Sequence, residues 1–322
     1  MAERIEWGEA VVRATRDLSP DIRLIEIAPA SAFSSPASGS HINVGVLIGD
    51  RSQVRCYSIV GPCADGVYRI AVKRLKESRG GSAYLWTLRA GARLSISQPA
   101  NHFELGLGRP DYLLLAGGIG ITPIFSHALA LKRANARFRL LYACHGRHDA
   151  AFATELEQEI GDSLRVVVTG EGARVNIAQE IEQLDPLGEC YVCGPIGMLE
   201  DAKKAWGESR RPIEMLRFET FGNSGRRPAV SFTAKIPRLG KTITVGVDQT
   251  LLEALEAANV DMIFDCRRGE CGLCALPILG LEGELDHRDV FFSDAEKAAN
   301  TRLCTCVSRV YGTSITLDTA DR

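Results

Sequence analysis

Three cysteines fall within nine residues, Cys266-Arg-Arg-Gly-Glu-Cys271-Gly-Leu-Cys274, and two more, Cys304 and Cys306, stand near the C-terminus. No other stretch of the 322-residue chain constrains its folding as much. The run reads C-x4-C-x2-C and carries Gly269 and Gly272, so it is a loop whose backbone N–H groups can turn toward the sulfurs. Zinc sites usually pair two short two-ligand units, whereas this is three thiols together and a further one far away. The N-terminus shows no secretory signal, so structural disulfides are not expected.

Three thiolates on a glycine-bearing loop plus one distant thiolate is the ligand plan of a plant-type 2Fe-2S ferredoxin. Four anionic sulfurs hold two irons, and the cluster carries one electron at a time. Spacing leaves the distant ligand open. Cys304 follows Cys274 after 29 residues and Cys306 after 31, and loop length tolerates insertion. Cys304 is expected two residues earlier on the same face of an extended segment.

A chain of this length suggests two or three domains. With 45% hydrophobic and 24% charged residues it is an ordinary globular composition. No apolar run reaches the roughly 18 residues that span a bilayer. The net charge of −2 comes without a basic patch, which argues against nucleic acid. Ten cysteines fit a reducing cytoplasm. The charge is uneven: residues 233–322 hold 10 Lys and Arg against 14 Asp and Glu, an excess of four negative charges.

Residues 1–104 read as β-rich, with Val67–Lys73 the clearest strand and Gly/Pro/Ser clusters between runs, as in a small barrel or sandwich. Strands are expected at 111–116, 138–143, 164–168 and 189–193, with an apolar helix ending near Arg133. Their alternation with helices argues for a parallel sheet in an α/β domain. Gly222–Pro228 reads as a linker. The final segment opens with strands at 231–236 and 241–247, and Asp248 is expected to N-cap a helix bearing Leu251, Leu252 and Leu255.

Ala116-Gly117-Gly118-Ile119-Gly120-Ile121-Thr122-Pro123 follows a strand and opens a helix. Thr122 is the expected N-cap and Pro123 the first helical residue. The glycines let the backbone approach a pyrophosphate, and the helix start offers N–H groups. Pro123 replaces the third glycine of the usual dinucleotide fingerprint. Tyr191-Val-Cys193-Gly194-Pro195 would place a thiol and a second glycine turn at the C-terminal edge of the sheet, where open α/β folds bind ligands. In the β-rich part, Arg55-Cys-Tyr57-Ser58 offers a phosphate partner, a ring and a hydroxyl, and Arg79-Gly80-Gly81-Ser82 a second phosphate cradle. Taken singly, the β-rich motifs read better as a surface strand and a turn, and the glycine turn is a weak signal.

The order R-x-Y-S, G-G-S, G-G-x-G-x-T-P, C-G-P, ending in the cysteine loop, resembles the ferredoxin–NADP reductase superfamily and, within it, the phthalate dioxygenase reductase family, over nearly the whole chain. The resemblance implies an antiparallel flavin-binding β-barrel (1–104), a parallel α/β NAD(H)-binding domain (105–225) and a β-grasp 2Fe-2S ferredoxin domain (230–322). It assigns FMN to Arg55, Tyr57, Ser58, Gly80, Gly81 and Ser82. Val72 and Lys73 are counted in the same cofactor-binding set. NADH falls to Gly118, Gly120, Thr122, Cys193 and Gly194. In Glu219-Thr-Phe221, the ring of Phe221 would cover the flavin face used by nicotinamide. Thr305-Cys306-Val307-Ser308-Arg309 resembles the end of the family's ferredoxin module, so the resemblance selects Cys306, with Cys266, Cys271 and Cys274, as the cluster ligands.

Two departures stand out. Cys56 takes a place often filled by a small or hydroxyl residue. Cys144-His145-Gly146-Arg147 carries no acidic residue to grip a ribose hydroxyl, and Arg147 could meet a 2′-phosphate. The implied path is NADH to FMN to cluster, and then to a separate partner, since nothing here resembles an oxygenase active site. The family's partners are Rieske-type non-haem iron oxygenases; a haem-thiolate monooxygenase is the alternative acceptor. Hydride transfer needs no general acid or base, so no catalytic residue is assigned.

Overall fold

The structure, a computed structural model, describes residues 6–30, 35–74, 80–221 and 227–319. The chain divides into two units, Met1–Glu219 and Thr220–Arg322.

The first unit begins with β1 (Trp7–Ser19), β2 (Ile22–Pro29), β3 (Ser40–Ile48), β4 (Arg51–Ser58), β5 (Tyr68–Lys73), a short helix α1 (Gly81–Thr87), β6 (Arg93–Ser97) and β7 (Ala100–Asn101). These strands pair antiparallel in the order β4-β3-β6-β1-β2-β5, with β7 against β3. An Ile59–Ile70 bridge and a Val60 N–H bond to Arg69 O join the two ends of that order, closing the sheet on itself. Alternate residues point inward, so Ile25, Ile27, Ile42, Val44, Ile70 and Ile96 fill the interior with β-branched side chains.

The same unit continues with β8 (Tyr112–Gly117), α2 (Ile121–Arg133), β9 (Phe138–Cys144), α3 (Ala153–Ile160), β10 (Leu164–Val168), α4 (Ile177–Glu182), β11 (Glu189–Cys193), α5 (Ile196–Glu208) and β12 (Leu216–Glu219). The strands form a parallel sheet in the order β10-β9-β8-β11-β12. β8 is buried at every position, as a central parallel strand must be when both faces are covered. The chain leaves β8 toward β9 on one side and returns to β11 on the other, so the order reverses between β8 and β11. Their C-terminal turns therefore flank the crevice where open α/β sheets bind ligands.

Two helix starts differ from the sequence expectation. A 3-10 turn over Gly118–Gly120 runs straight into α2, so Gly120 is the N-cap and Thr122 and Pro123 are the second and third helical residues. The Thr122 hydroxyl donates backward to Ile119 O at 3.0 Å and caps nothing. In the second unit Thr250, not Asp248, caps the helix. Its Oγ accepts Glu253 N–H at 3.0 Å while the Glu253 carboxylate accepts Thr250 N–H at 2.7 Å, a reciprocal pair that Asp248 has no partner to make.

The second unit contains β13 (Phe232–Ile236), β14 (Lys241–Val245), α6 (Leu251–Ala257), β15 (Ala275–Asp286), α7 (Asp294–Ala299), β16 (Arg302–Cys304) and β17 (Arg309–Leu317). They make a mixed sheet in the order β14-β13-β17-β15-β16, with β13 parallel to β17. Leu251, Ala254 and Leu255 of α6 pack into its core with Ile236, Ile315 and Leu317. Most of the segment expected as a linker, residues 222–226, lies outside the described residues. Among the described residues no helix is long and apolar enough to cross a membrane.

Candidate functional site

The cysteine loop runs from α6 to β15. Cys266, Cys274 and Cys306 are buried and Cys271 is partly exposed. The loop folds back on its first sulfur: the N–H groups of Arg268, Glu270 and Cys271 each reach Cys266 Sγ at 3.4 Å. Two glycines make that curl possible. Gly269 has φ 77° and a Cβ there would lie 2.5 Å from Val307 Cγ2. Gly272 has φ 72° and a Cβ would lie 2.3 Å from the Phe291 ring. The thiols pair off. Hydrogen bonding between Cys266 and Cys271 lowers the Cys271 thiol and raises Cys266. Hydrogen bonds from Cys304 and Cys306 lower the Cys274 thiol and raise both donors. N–H donors converging on a buried sulfur, with further thiols close by, are what an anionic iron–sulfur centre requires, so the residues fit the cluster.

The extended segment expected to carry both distant cysteines is interrupted. β16 ends at Cys304, and Ser308 N–H folds back onto Cys304 O at 3.0 Å, so Cys306 sits in a turn. Thr305 pins that turn by donating its hydroxyl to Cys274 O at 2.9 Å. Glu270 ties the loop to the start of the unit: it accepts Thr220 N–H at 2.7 Å and pairs with the buried Arg268 at 3.4 Å.

In the first unit the structure brings together motifs that are distant in sequence. An added Cβ at Gly81 would lie 2.8 Å from Arg55 Cγ and Nε, so the arginine of β4 lies against the glycine turn that opens α1. Gly80 is held equally close by Ile48. Ser82 is half-buried in the first turn of α1, and Arg79 lies outside the described residues. Tyr57 is partly buried, and loss of solvent raises its hydroxyl pKa. Val72 is wholly buried in the barrel core, its carbonyl accepting Trp86 Nε1–H at 3.1 Å. Lys73 pairs with Asp21 at 3.3 Å. A cradle of two glycines against a guanidinium fits a phosphate-bearing flavin.

Ser58, at the end of β4, is buried and donates to the Glu219 carboxylate at 3.4 Å. Glu219 ends β12, so the R-x-Y-S strand meets the C-terminal edge of the parallel sheet. There the two glycine turns are in backbone contact: a Cβ on Gly120 would stand 2.2 Å from Cys193 O. Gly117 and Gly194 close on Met198, whose sulfur would lie 3.2 and 2.9 Å from an added Cβ at each. Gly118 is open on its outer side, with nothing within 4 Å of an added Cβ. Cys193 is fully buried. Beyond β9, Asp149 supplies the acid that Cys144–Arg147 lacks, but its carboxylate accepts Gly146 N–H at 3.0 Å. Phe221 is half-buried in the second unit.

Sequence reasoning passed over Glu219 as Ser58's partner, Met198, and His127 of α2. His127 is fully buried against Phe103 and Tyr191, and burial holds its pKa near 3, so it is neutral. Only Glu219 lay in a motif already singled out; the other two have no local signature.

Residues 235–311 match the 2Fe-2S iron-sulfur cluster binding domain and residues 114–204 the oxidoreductase NAD-binding domain. The chain is 36% identical over 310 residues to the heme-dependent oxidative N-demethylase beta subunit of Ectopseudomonas mendocina, covering 95% of this chain and 97% of that protein. It is 34% identical over 296 residues to the carnitine monooxygenase reductase subunit of Escherichia coli, covering 90% of each. Phthalate dioxygenase reductase superposes with a TM-score of 0.80 at 29% identity, covering 97% of this chain and 98% of that one.

Proposed function

The chain belongs to the phthalate dioxygenase reductase-like family, flavin- and NAD(P)H-dependent oxidoreductases with a C-terminal plant-type 2Fe-2S domain, and from that premise we propose that it is the reductase component of a Rieske-type oxygenase system acting on an aromatic acid or related small molecule. Bound flavin would exchange a two-electron hydride for single electrons, and a bound cluster would carry those one at a time. The protein's own task is to hold, orient and keep dry.

We assign FMN to the cradle of Arg55, Gly80, Gly81 and Ser82, with Tyr57, Ser58, Val72 and Lys73 along the ring. NADH is assigned to the paired turns of Gly118, Gly120 and Thr122 and of Cys193 and Gly194, and the family resemblance adds Phe221 to the cofactor-binding set. Cys266, Cys271, Cys274 and Cys306 would hold the irons. Support for Cys306 is that its thiol is within electrostatic reach of both Cys274 and Cys266 and accepts Gly269 N–H, whereas Cys304 lies against Cys274, Cys306 and Asp289. The working domain bounds are 1–104, 105–225 and 230–322. A cytoplasmic location goes with this reading, ten cysteines suiting a reducing compartment.

The observation that carries the reading is the Ser58–Glu219 contact at 3.4 Å, which sets the flavin motif at the ligand-binding edge of the nucleotide sheet. The test is NADH-driven reduction of cytochrome c or ferricyanide by the purified chain, with no substrate oxidation until a separate oxygenase is added. Substrate oxidation by the chain alone would refute a reductase role. A second reading, service to a haem-containing acceptor, is supported by the 36% identity to a subunit of a heme-dependent demethylase.

A further inference from the structure

The barrel and the parallel sheet of the first unit are joined by a clasp that no cofactor motif contains. Arg69 of β5 sends both guanidinium nitrogens to Glu155 of α3, Nη1 to Oε1 and Nη2 to Oε2, each at 2.9 Å. The same guanidinium lies 5.9 Å from the Phe125 ring centroid of α2 and 5.7 Å from that of Phe152. Phe152, just before α3, holds φ 65°, an uncommon left-handed backbone for a bulky residue. That geometry carries its ring to the clasp. Next to Phe125 in α2, Ser126 accepts Gly61 N–H at 2.9 Å and donates to Ile59 O at 2.9 Å. Ile59 directly follows Ser58, and α2 is the helix that opens on the Gly118–Gly120 turn. The Ser126 tie therefore fixes the helix of the nucleotide turn to the end of the flavin-motif strand, and the Arg69 tie fixes the neighbouring β5 to α3.

We propose that Arg69 is a positioning residue for hydride transfer, and that with Ser126 it sets the register between the flavin-bearing barrel and the nucleotide-bearing sheet. A bidentate fork within cation–π reach of two rings fixes both distance and angle, which a lysine cannot do. Domains joined without such ties move relative to one another by default. Hydride transfer punishes misplacement: about 1 Å costs on the order of 10²-fold in rate. Neither Arg69 nor Glu155 lies in a glycine turn or in the R-x-Y-S or G-G-S motif, so their loss acts through geometry rather than through cofactor contacts. The inference rests on the proposed NADH-to-flavin reaction.

The test uses the full-length holoprotein with NADH as the probe, in stopped flow without oxygen. Arg69→Ala should retain flavin and cluster content and an apparent NADH dissociation constant within about threefold. Its limiting rate of flavin bleaching should fall by at least about tenfold, and the long-wavelength nicotinamide–flavin charge-transfer absorbance should weaken. Arg69→Lys should fall between the two, and Ser126→Ala should also slow bleaching without loss of nucleotide affinity. If Arg69→Ala loses its flavin, Arg69→Lys and Ser126→Ala decide the matter. Variants that bleach at the wild-type limiting rate with an unchanged charge-transfer band would overturn the proposal. A wild-type protein that NADH does not bleach at all would instead sink the reaction on which it rests.

Discussion

Gly120→Ala tests whether the nucleotide crevice depends on the two glycine turns touching. At φ −61° and ψ −8° Gly120 is ordinary helical backbone, so alanine brings no dihedral strain. Its Cβ would instead stand 2.2 Å from Cys193 O, 2.5 Å from Cys193 C and 2.8 Å from Gly194 N. Carbon and oxygen touch at about 3.3–3.6 Å, so the turns must separate by about 1 Å. All three obstructing atoms are main chain and cannot rotate away. Overpacking of this kind costs up to ~3 kcal/mol, and the reduced freedom of the unfolded alanine chain returns ~0.4–1. The expected net loss is about 2 kcal/mol, a fall in melting temperature of roughly 4–8 °C for a unit of this size. A 1 Å opening at the crevice should lower the NADH-dependent rate of flavin bleaching on the order of 10²-fold. Gly197→Ala in α5 is the control: nothing lies within 4 Å of its added Cβ, and helix propensity should leave it more stable by ~0.5–1 kcal/mol. Differential scanning fluorimetry and stopped-flow absorbance read both. A Gly120→Ala protein with wild-type melting temperature and bleaching rate would refute the contact argument.

Cys306→Ala should abolish stable cluster assembly, read by visible absorption and EPR, while Cys304→Ala should leave it nearly intact; the reverse pattern would give the fourth iron ligand to Cys304. Acid extraction should release FMN at about one per chain, and Ser82→Ala should weaken FMN binding by ~1.5–3 kcal/mol, the worth of a hydrogen bond to a charged group; an extract of FAD would contradict the assignment. The excess of four negative charges over residues 233–322 predicts that oxygenase-coupled turnover falls as ionic strength rises past ~0.15 M. Coupled rates indifferent to salt would remove charge from the docking.

How much of this was legible depended on the range of each interaction. The β10 and β11 spans, Leu164–Val168 and Glu189–Cys193, agree with the sequence reading because each holds a short β-branched or apolar core, Val166–Val168 and Tyr191–Cys193, between polar and glycine-bearing segments. The end of α2 at Arg133 was equally plain. Helix starts were not, because several residues nearby can cap. Asp248 and Thr250 both can, and only Glu253, three residues after Thr250, decides between them. At Thr122 the glycine turn was itself helical, a 3-10 turn that no propensity distinguishes from a loop. The cysteine loop was legible because its ligands lie within nine residues. Arg55 against Gly81, Ser58 with Glu219 and Arg69 with Glu155 join residues that only the closed barrel and the sheet edge bring together, so no local pattern announces them.

The central claim is that one chain carries electrons from NADH through flavin to its own 2Fe-2S centre. Mixing the holoprotein with NADH under anaerobic conditions, with absorbance and freeze-quench EPR followed together, tests it most directly. Flavin bleaching should come first, and the reduced-cluster EPR signal should then rise within the same molecules, at a rate independent of protein concentration. Flavin that bleaches while the cluster stays oxidised, or a cluster signal whose rate scales with protein concentration, would contradict it.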